Sequence, residues 1–440
     1  MSIYSLQSGH GERTTSVIVE VSLSKAGYDV IVVGAGPAGS IAAFVLARAG
    51  ARVGLVDKAG IGRDKACGDL IGPRGVRLLD DLGLSVPGAQ TAGDMIVTGP
   101  NGRRVLLPAR PGRTYPGHAI VVPRTQFDAL LHAAALEAGA IDIAGRVSSV
   151  DEGGRVALDG GGSIEADFVI GADGATSITA RTAGLVDPSR VLWGFAVRRY
   201  IDANVTLPVI ALWNDQRRRG FPGYGWLFPG PDGANLGLGL GLGHSRQQAN
   251  RAQQQLDAFS AHLVRIGVLE SEPGSAVRQL GGWLKMGLVG TRPAAGKVLL
   301  VGDAAGLVNP LQGEGIAQAL ESGHAAALAI VNRPGDAADG YRHWVSATHG
   351  RWTSVTTPVH ASFVSRPRHI AGLSATLTAP VLGRAIASTW AIYWNNLADG
   401  AIPTPAVAAA RAVHRLGRVG TMRSRLRHSL AVDLGDRTSP

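Results

Sequence analysis

An α/β fold is predicted by three features of the chain. A strand–glycine turn–helix–strand unit occupies residues 28–57, and a second strand–turn–helix unit occupies residues 296–331. Alternating strand-like runs fill much of the sequence between them. The first two are parts of a Rossmann-like domain, and the third is the pattern of an antiparallel β-sheet. Since its parts lie far apart in sequence, the Rossmann-like domain is discontinuous.

The first unit begins with Tyr28–Val33, an apolar run of strand length that leads into Gly34-Ala35-Gly36-Pro37-Ala38-Gly39. A helical apolar pattern follows from Ser40 to Ala49, then a second strand, Arg52–Val56, which ends on Asp57 with Lys58 beside it. Gly34 permits a tight turn, Gly36 lets the backbone approach a pyrophosphate, and Gly39 lets helix and strand pack closely. The helix start offers free N–H groups and the positive end of its dipole to phosphate. Asp57 stands about 20 residues beyond the glycines, where a carboxylate accepts from ribose hydroxyls. The unit therefore predicts a dinucleotide site, with a glycine-rich turn of no such function as the alternative.

In the second unit, the buried-looking strand from Gly296 runs to Gly302-Asp303, read as a strand ending on an acid. Pro310 and the turn Gly313-Glu314-Gly315 precede a helical pattern from Ile316 to Val331. Asp303 is then expected at the carboxyl edge of the sheet, in reach of a polyol. The glycine turn aims a helix start at a place where negative charge develops. NAD has no ribityl chain, whereas a reduced flavin has both polyol and anionic ring, so the pairing favours FAD. No His or Cys stands at the pyrophosphate turn, and the flavin is expected to be held non-covalently.

With these segments on the page, the chain resembles the FAD-dependent superfamily that includes aromatic hydroxylases and geranylgeranyl reductases. Gly171-Ala172-Asp173-Gly174-Ala175-Thr176-Ser177 is similar to its GADGxxSxxR stretch, with Arg181 one place late, and the resemblance puts Asp173 and Gly174 near the cofactor. Arg124-Thr125-Gln126-Phe127-Asp128 resembles the start of a helix whose arginine neighbours FAD. Two further motifs point to the geranylgeranyl reductase branch. Asp64-Lys65-Ala66-Cys67-Gly68-Asp69 resembles a loop that lies over the flavin. Tyr224-Gly225-Trp226-Leu227-Phe228-Pro229, followed by Gly237 and Gly239, resembles the segment lining an isoprenoid cavity. Aromatic walls beside glycines suit a narrow apolar tunnel; the plainer reading is that these aromatics are sheet core and the glycines mark bulges.

The resemblance implies reduction of C=C bonds in a polyprenyl chain, with Cys67, Tyr224 and Trp226 as catalytic candidates; Glu314 is a further candidate acid but is read as a cofactor-loop residue first. The alternatives are an aromatic monooxygenase or halogenase acting through a C4a-peroxide, and an idle FAD protein that carries isoprenoid lipid. There is no second GxGxxG unit for NAD(P)H. An external donor is expected, either docking NAD(P)H or a ferredoxin-like protein. No metal site is read from the sequence.

Composition bounds the rest. Hydrophobic residues make up 45% and charged residues 17%, as in a globular chain. The single cysteine excludes an internal disulfide and fits a reducing cytoplasm, and no signal peptide is expected. Ser374–Trp390, the nearest approach to a membrane span, is broken by Arg384. The net charge is +10. No acid falls between Asp399 and Asp433, while Arg411, Arg415, Arg418, Arg423, Arg425 and Arg427 accumulate among apolar residues at helix-like spacing. That segment is read as a surface for anionic lipid or as a packing helix, with nucleic acid the least favoured partner. It makes a peripheral position at the inner membrane face one expected location. Residues 1–24 are expected to be a disordered tail. Residues 25–93, 121–190 and 285–335 are assigned to the FAD-binding domain. Residues 94–120 and 191–284 are assigned to a substrate domain with a helix over Gln248–Leu269, and 336–440 to a helical cap with a basic tail.

Overall fold

The computed structural model describes residues 27–360, apart from 61, 110, 112–114, 214–222, 231–232, 244–250, 274–278, 311–312, 351–352, 355 and 359, together with 375, 378 and 379. The expected tail over 1–24, the basic segment from Arg411 to Arg427 and most of the expected cap beyond 360 lie outside the described residues. No helix among the described residues is long and apolar enough to cross a membrane.

Tyr28–Val33 lies inside an eight-stranded sheet. Its Val-Ile-Val-Val run does not alternate with polar residues because both faces are covered, as in a parallel sheet. Ser163–Gly171 pairs with it on one side and Val53–Asp57 on the other, both parallel. Ile141–Ala144 and Val298–Leu300 extend the parallel run outward. The helices Pro37–Arg48 and Ile316–Asn332 pack on one another so closely that a Cβ at Gly323 would stand 2.2 Å from the Ala38 carbonyl oxygen. Tyr341, on the helix Ala337–Val345, is fully buried and donates to the Leu300 carbonyl at 2.7 Å, which pins that helix to the sheet.

Two boundaries differ from the sequence reading. The glycine-turn helix starts at Pro37 rather than Ser40, since proline's fixed φ and missing N–H suit the first helical position. The last parallel strand ends at Leu300, so Asp303 lies in the one-turn helix Gly302–Ala305 and not on the strand. The cause is Gly302, whose φ of +55° turns the chain out of the sheet.

A seven-stranded sheet comes from the intervening sequence, in the order Leu280–Met286, Leu192–Ile201, Gly233–Gly243, Gly223–Gly230, Val209–Trp213, Met95–Thr98, Arg104–Leu107. Its pairs are antiparallel except the one between Val209–Trp213 and Met95–Thr98, which is parallel. Leu236, Leu238 and Leu240 share one face and pack with Phe259 of the helix Ala252–Arg265. Tyr224, Trp226 and Phe228 share the other, with Ala196 and Leu284. The alternation is the period of two along a strand. A three-stranded sheet of Leu70–Ile71, Ala119–Val121 and Gln90–Ala92 lies between the 64–69 loop and the helix that starts at Arg124.

Candidate active site

Parallel strands end on the same edge, and this edge gathers the predicted cofactor residues. Gly34 follows the first strand, Asp57 ends the second, Asp173 follows Gly171, and Asp303 follows Leu300. Gly34 has a φ of +104°, and any Cβ there would lie 2.5 Å from the Ala172 carbonyl oxygen. A Cβ at Gly39 would lie 1.8 Å from the Gly34 oxygen, so that turn tolerates no side chain at either position. At Gly36 a Cβ would meet nothing within 4 Å. The helix has no side-chain cap among the described residues, which leaves its first N–H groups for a ligand. Ala35, Gly36, Asp57 and Lys58 line a cavity of about 190 Å³ with Asp128, His132 and Asp142. Asp57 accepts from the Ala35 and Ala59 backbone N–H groups, each at 2.7 Å. Each of its oxygens keeps a lone pair for a ribose hydroxyl. An open glycine backbone, an uncapped helix start and a fixed carboxylate fit the adenosine diphosphate half of FAD.

Asp303 follows an outermost parallel strand, where the chain turns back towards the helix Pro37–Arg48. Gly302 stands beside Ala38, at 3.3 Å for a Cβ, and one Asp303 oxygen lies 3.5 Å from where a Gly315 Cβ would be. Lys65 reaches the other oxygen at 3.8 Å. Asp173 is used differently. Its carboxylate accepts from Ser177 Oγ, from the Ile178 and Thr179 N–H groups and from Thr179 Oγ, capping the short helix Ile178–Thr182. Gly174, with a φ of +82°, turns the chain into that cap. Lys285 is buried on the strand Leu280–Met286 and faces both carboxylates. Burial lowers its pKa to about 8, against the opposing pull of Asp173 and Asp303.

The 64–69 loop is tied to the aromatic face of the seven-stranded sheet by a buried polar network. Trp226 Nε1 donates to Asn235 Oδ1 at 2.9 Å. Asn235 Nδ2 donates to the Cys67 carbonyl at 2.8 Å and to Asp69 Oδ2 at 2.7 Å. Tyr200 donates to the same Asp69 oxygen at 2.6 Å, and Arg198 pairs with Asp64. Asp69 holds a φ of +62° and is 2% exposed, a strained position that the network maintains. Burial raises its pKa, and the bonds from Tyr200 and Asn235 work against that rise. Gly68 is required here, since a Cβ would meet the Phe228 ring at 2.8 Å.

The aromatics and glycines of the adjoining hairpin interlock. Trp226 lies opposite Gly237 and Tyr224 opposite Gly239. A Cβ on Gly237 would meet the Trp226 ring at 2.0 Å, and one on Gly239 the Tyr224 ring at 3.3 Å. The glycines therefore seat the rings of the neighbouring strand. The Tyr224–Trp226 and Trp226–Phe228 centroids are 6.1 and 6.4 Å apart. Pro229, one residue on, pairs with Ala234 on the opposite face.

Tyr224 also closes the site towards the second glycine turn, its hydroxyl 2.2 Å from where a Gly313 Cβ would be. Burial holds this phenol well above its usual pKa, so it remains a proton donor. Arg124 is buried, gripped by Asp128 through two bonds of 2.7 Å, and hydrogen-bonds the Cys67 thiol. Burial raises the Cys67 pKa while the Arg124 cation pulls it back, and the group stays a thiol. Glu314 is raised to about 7 by burial, opposed by Arg74. Ile316 opens the following helix and is buried, and the Pro310 carbonyl accepts from His360.

The predicted residues thus form two groups joined through Asp303. Gly34–Gly39, Asp57 and Lys58 form one, and Cys67, Gly68, Arg124, Tyr224, Gly313 and Glu314 the other. Sequence reasoning passed over Asn235, Lys285, Arg74 and the role of Asp69. Asn235 and Lys285 did leave a signal, each a lone polar residue in an apolar strand.

Known proteins place these features in context. The family described as FAD binding domain matches residues 27–340. A menaquinone reductase of Mycolicibacterium smegmatis is 38% identical over 319 residues, covering 68% of this chain and 75% of its own. A digeranylgeranylglycerophospholipid reductase of Methanopyrus kandleri is 34% identical over 318 residues, covering 68% and 76%. The crystal structure of a geranylgeranyl bacteriochlorophyll reductase-like protein of Thermoplasma acidophilum superposes with a TM-score of 0.69 at 23% identity, covering 88% of this chain and 99% of that one.

Proposed function

The chain belongs to the FAD binding domain family, in the branch of geranylgeranyl-type reductases, and from that premise we propose that it saturates carbon–carbon double bonds in the polyprenyl chain of a lipid. It is an FAD-dependent oxidoreductase. The observation that carries the substrate reading is the convergence of the 64–69 loop and the aromatic hairpin on the Gly313 turn through Asn235 and Tyr224. A quinone with a polyprenyl tail is the first substrate to try, given the menaquinone reductase relative.

Bound FAD, once reduced, supplies the hydride. The chain's own residues do the rest. The Gly34–Gly39 turn and the start of its helix hold the pyrophosphate, Asp57 the ribose and Asp303 the polyol. The start of the Ile316–Asn332 helix favours the negative charge that reduction brings. An isolated trisubstituted alkene accepts hydride poorly, so a proton must reach the other carbon as the hydride arrives. Tyr224 and Cys67 both retain their protons at neutral pH and stand at that turn as donors. The aromatic face of Tyr224, Trp226 and Phe228 excludes water from the reacting carbons. The strands over 94–107 and 191–286 form the substrate side, and the first sheet the cofactor side. Electrons come from a docking nicotinamide or from an acidic carrier protein that suits the +10 chain, and the basic 411–427 segment brings it to anionic lipid.

Mass spectrometry of lipids from cells with and without the protein tests the substrate class. A gain of about 2 Da per reduced bond in one polyprenyl lipid, from one hydride and one proton, is the expected result. Identical lipid profiles would count against it.

A further inference from the structure

Glu314 is a carboxylate to which the site gives no partner of its own. It stands between Gly313 and Gly315 just ahead of the helix Ile316–Asn332. Its Oε1 is buried and has no hydrogen-bond partner among the described residues, and Oε2 has only a long contact of 3.4 Å to Gln318 Nε2. Gln318 Oε1 is also buried without a partner. The charged and titratable groups that face Glu314 are Arg74 from the helix Pro73–Leu82, Glu321 on its own helix, and Tyr224 from the aromatic strand. Arg74 is already matched by Glu321 through a bond of 2.7 Å and a second, shorter contact. Tyr115 and His349 lie within electrostatic reach of Arg74, the latter buried and held neutral, and Cys67 within reach of Tyr224. A group so placed is desolvated, shares a cation that is committed elsewhere, and lies within electrostatic reach of the Tyr224 phenol.

We infer that Glu314 takes up a proton from solvent when the bound flavin is reduced, and stores it beside the ring for delivery through the Tyr224 hydroxyl. Reduction places negative charge at the helix start, and an ionised Glu314 next to it would be repelled. Neutralising the carboxylate removes that repulsion. Two electrons then enter with two protons, the donor being a nicotinamide hydride or a one-electron carrier protein. One proton accompanies the electrons onto the ring and the other binds Glu314. When a double bond is saturated, hydride leaves the flavin for one carbon, the Tyr224 proton goes to the other, and Glu314 restores the phenol and is left ionised. That last step rests on the reductase reading, whereas the uptake does not. The burial that raises Glu314 to about 7 puts the change within reach of ordinary pH.

The test is anaerobic potentiometry of the FAD-loaded protein and of Glu314→Gln, across about two pH units on either side of neutrality. One proton per two electrons changes the equilibrium tenfold per pH unit, about 30 mV, and two protons change it by about 59 mV. The wild-type potential is expected to fall by about 59 mV per pH unit over the range where Glu314 binds its proton, and the variant by about 30 mV throughout. A wild-type slope of about 30 mV everywhere, or a steep segment that survives in Glu314→Gln, overturns the inference. Should the variant not fold, the redox-difference infrared spectrum of wild-type protein carrying ¹³C-labelled glutamate decides the matter. A protonated-carboxyl band that appears on reduction supports the inference, and no such band overturns it. Neither readout uses a lipid, so their failure leaves polyprenyl reduction standing, and failure of lipid turnover leaves the potentials to be judged alone.

Discussion

Lys65 Nζ lies 3.8 Å from Asp303 Oδ2, joining the Cys67 loop to the carboxyl edge of the parallel sheet. Both groups are partly buried, at 33% and 13% side-chain exposure, so the pair is less screened than a surface ion pair. The same loop is anchored by Arg198 at Asp64 and by Asn235 at the Cys67 carbonyl. The loop and the sheet edge are therefore joined through one carboxylate.

Replacing Asp303 with Ala should weaken FAD retention by about 1–3 kcal/mol, the scale for losing hydrogen bonds to a charged group. Lys65→Met should cost less, because Asp303 keeps its contacts with the polyol. Fluorescence titration of the apoproteins with FAD measures both. Equal affinity in wild type and Asp303→Ala would remove Asp303 from the cofactor site.

Asn235→Leu takes their partner from Trp226 Nε1 and the Cys67 carbonyl and leaves Asp69 Oδ2 with Tyr200 alone. Buried groups left unpaired cost about 1–3 kcal/mol each, so a loss of at least about 2 kcal/mol is expected even after relaxation. Denaturant unfolding measures the loss. A red-shifted tryptophan emission would report that Trp226 has come loose.

Gly237→Ala and Gly239→Ala should differ sharply although the residues are two apart. The first puts a methyl 2.0 Å from the Trp226 ring and the second 3.3 Å from the Tyr224 ring. The Gly237 variant should lose about 2–4 kcal/mol, in the range of core overpacking, and the Gly239 variant under about 1 kcal/mol. Parallel thermal melts compare them, and similar melting points would show that Trp226 does not rest on Gly237.

Lys285 gives the protein a dependence on alkaline pH. Its pKa falls from 10.5 to about 8 on folding. For a lowered cation, the stability is complete above the unfolded pKa and is lost as pH falls through the folded one. Between pH 10.5 and about 8, wild type should therefore lose stability relative to Lys285→Met as the pH is lowered. The difference should reach about 3 kcal/mol, at 1.36 kcal/mol per pKa unit between 10.5 and about 8. Denaturant titrations of the two proteins at several pH values measure it, and parallel curves would contradict a burial cost that outweighs the pull of Asp173 and Asp303.

What was legible in the sequence is what local chemistry determines. The Gly34–Gly39 turn was readable because the positive φ of Gly34 and the close contacts at Gly34 and Gly39 leave no choice of residue at those two positions, and the strand before it because a parallel strand covered on both faces reads as unbroken apolar sequence. The polar network was not, since Asn235 and Cys67 are 168 positions apart and nothing local to either reports the other. The glycine and aromatic pattern was seen, but not how its residues pack. Its meaning depends on hairpin register, which sets Trp226 opposite Gly237, and glycine there accepts the ring of the neighbouring strand. Asp303 was found by its motif, while Gly302, the residue that takes it off the strand, was read as part of the strand.

The most direct test of the account is whether the enzyme, with FAD reduced in the absence of air, is reoxidised by a polyprenyl lipid. Menaquinone, geranylgeranyl diphosphate and a digeranylgeranyl glycerolipid would be offered in turn, with flavin absorbance and product mass followed together. The expected result is return of oxidised flavin absorbance in step with saturation of at least one double bond, slowed in Tyr224→Phe. A reduced enzyme that ignores all three lipids, yet consumes oxygen in air and returns a hydroxylated or halogenated aromatic, would contradict it.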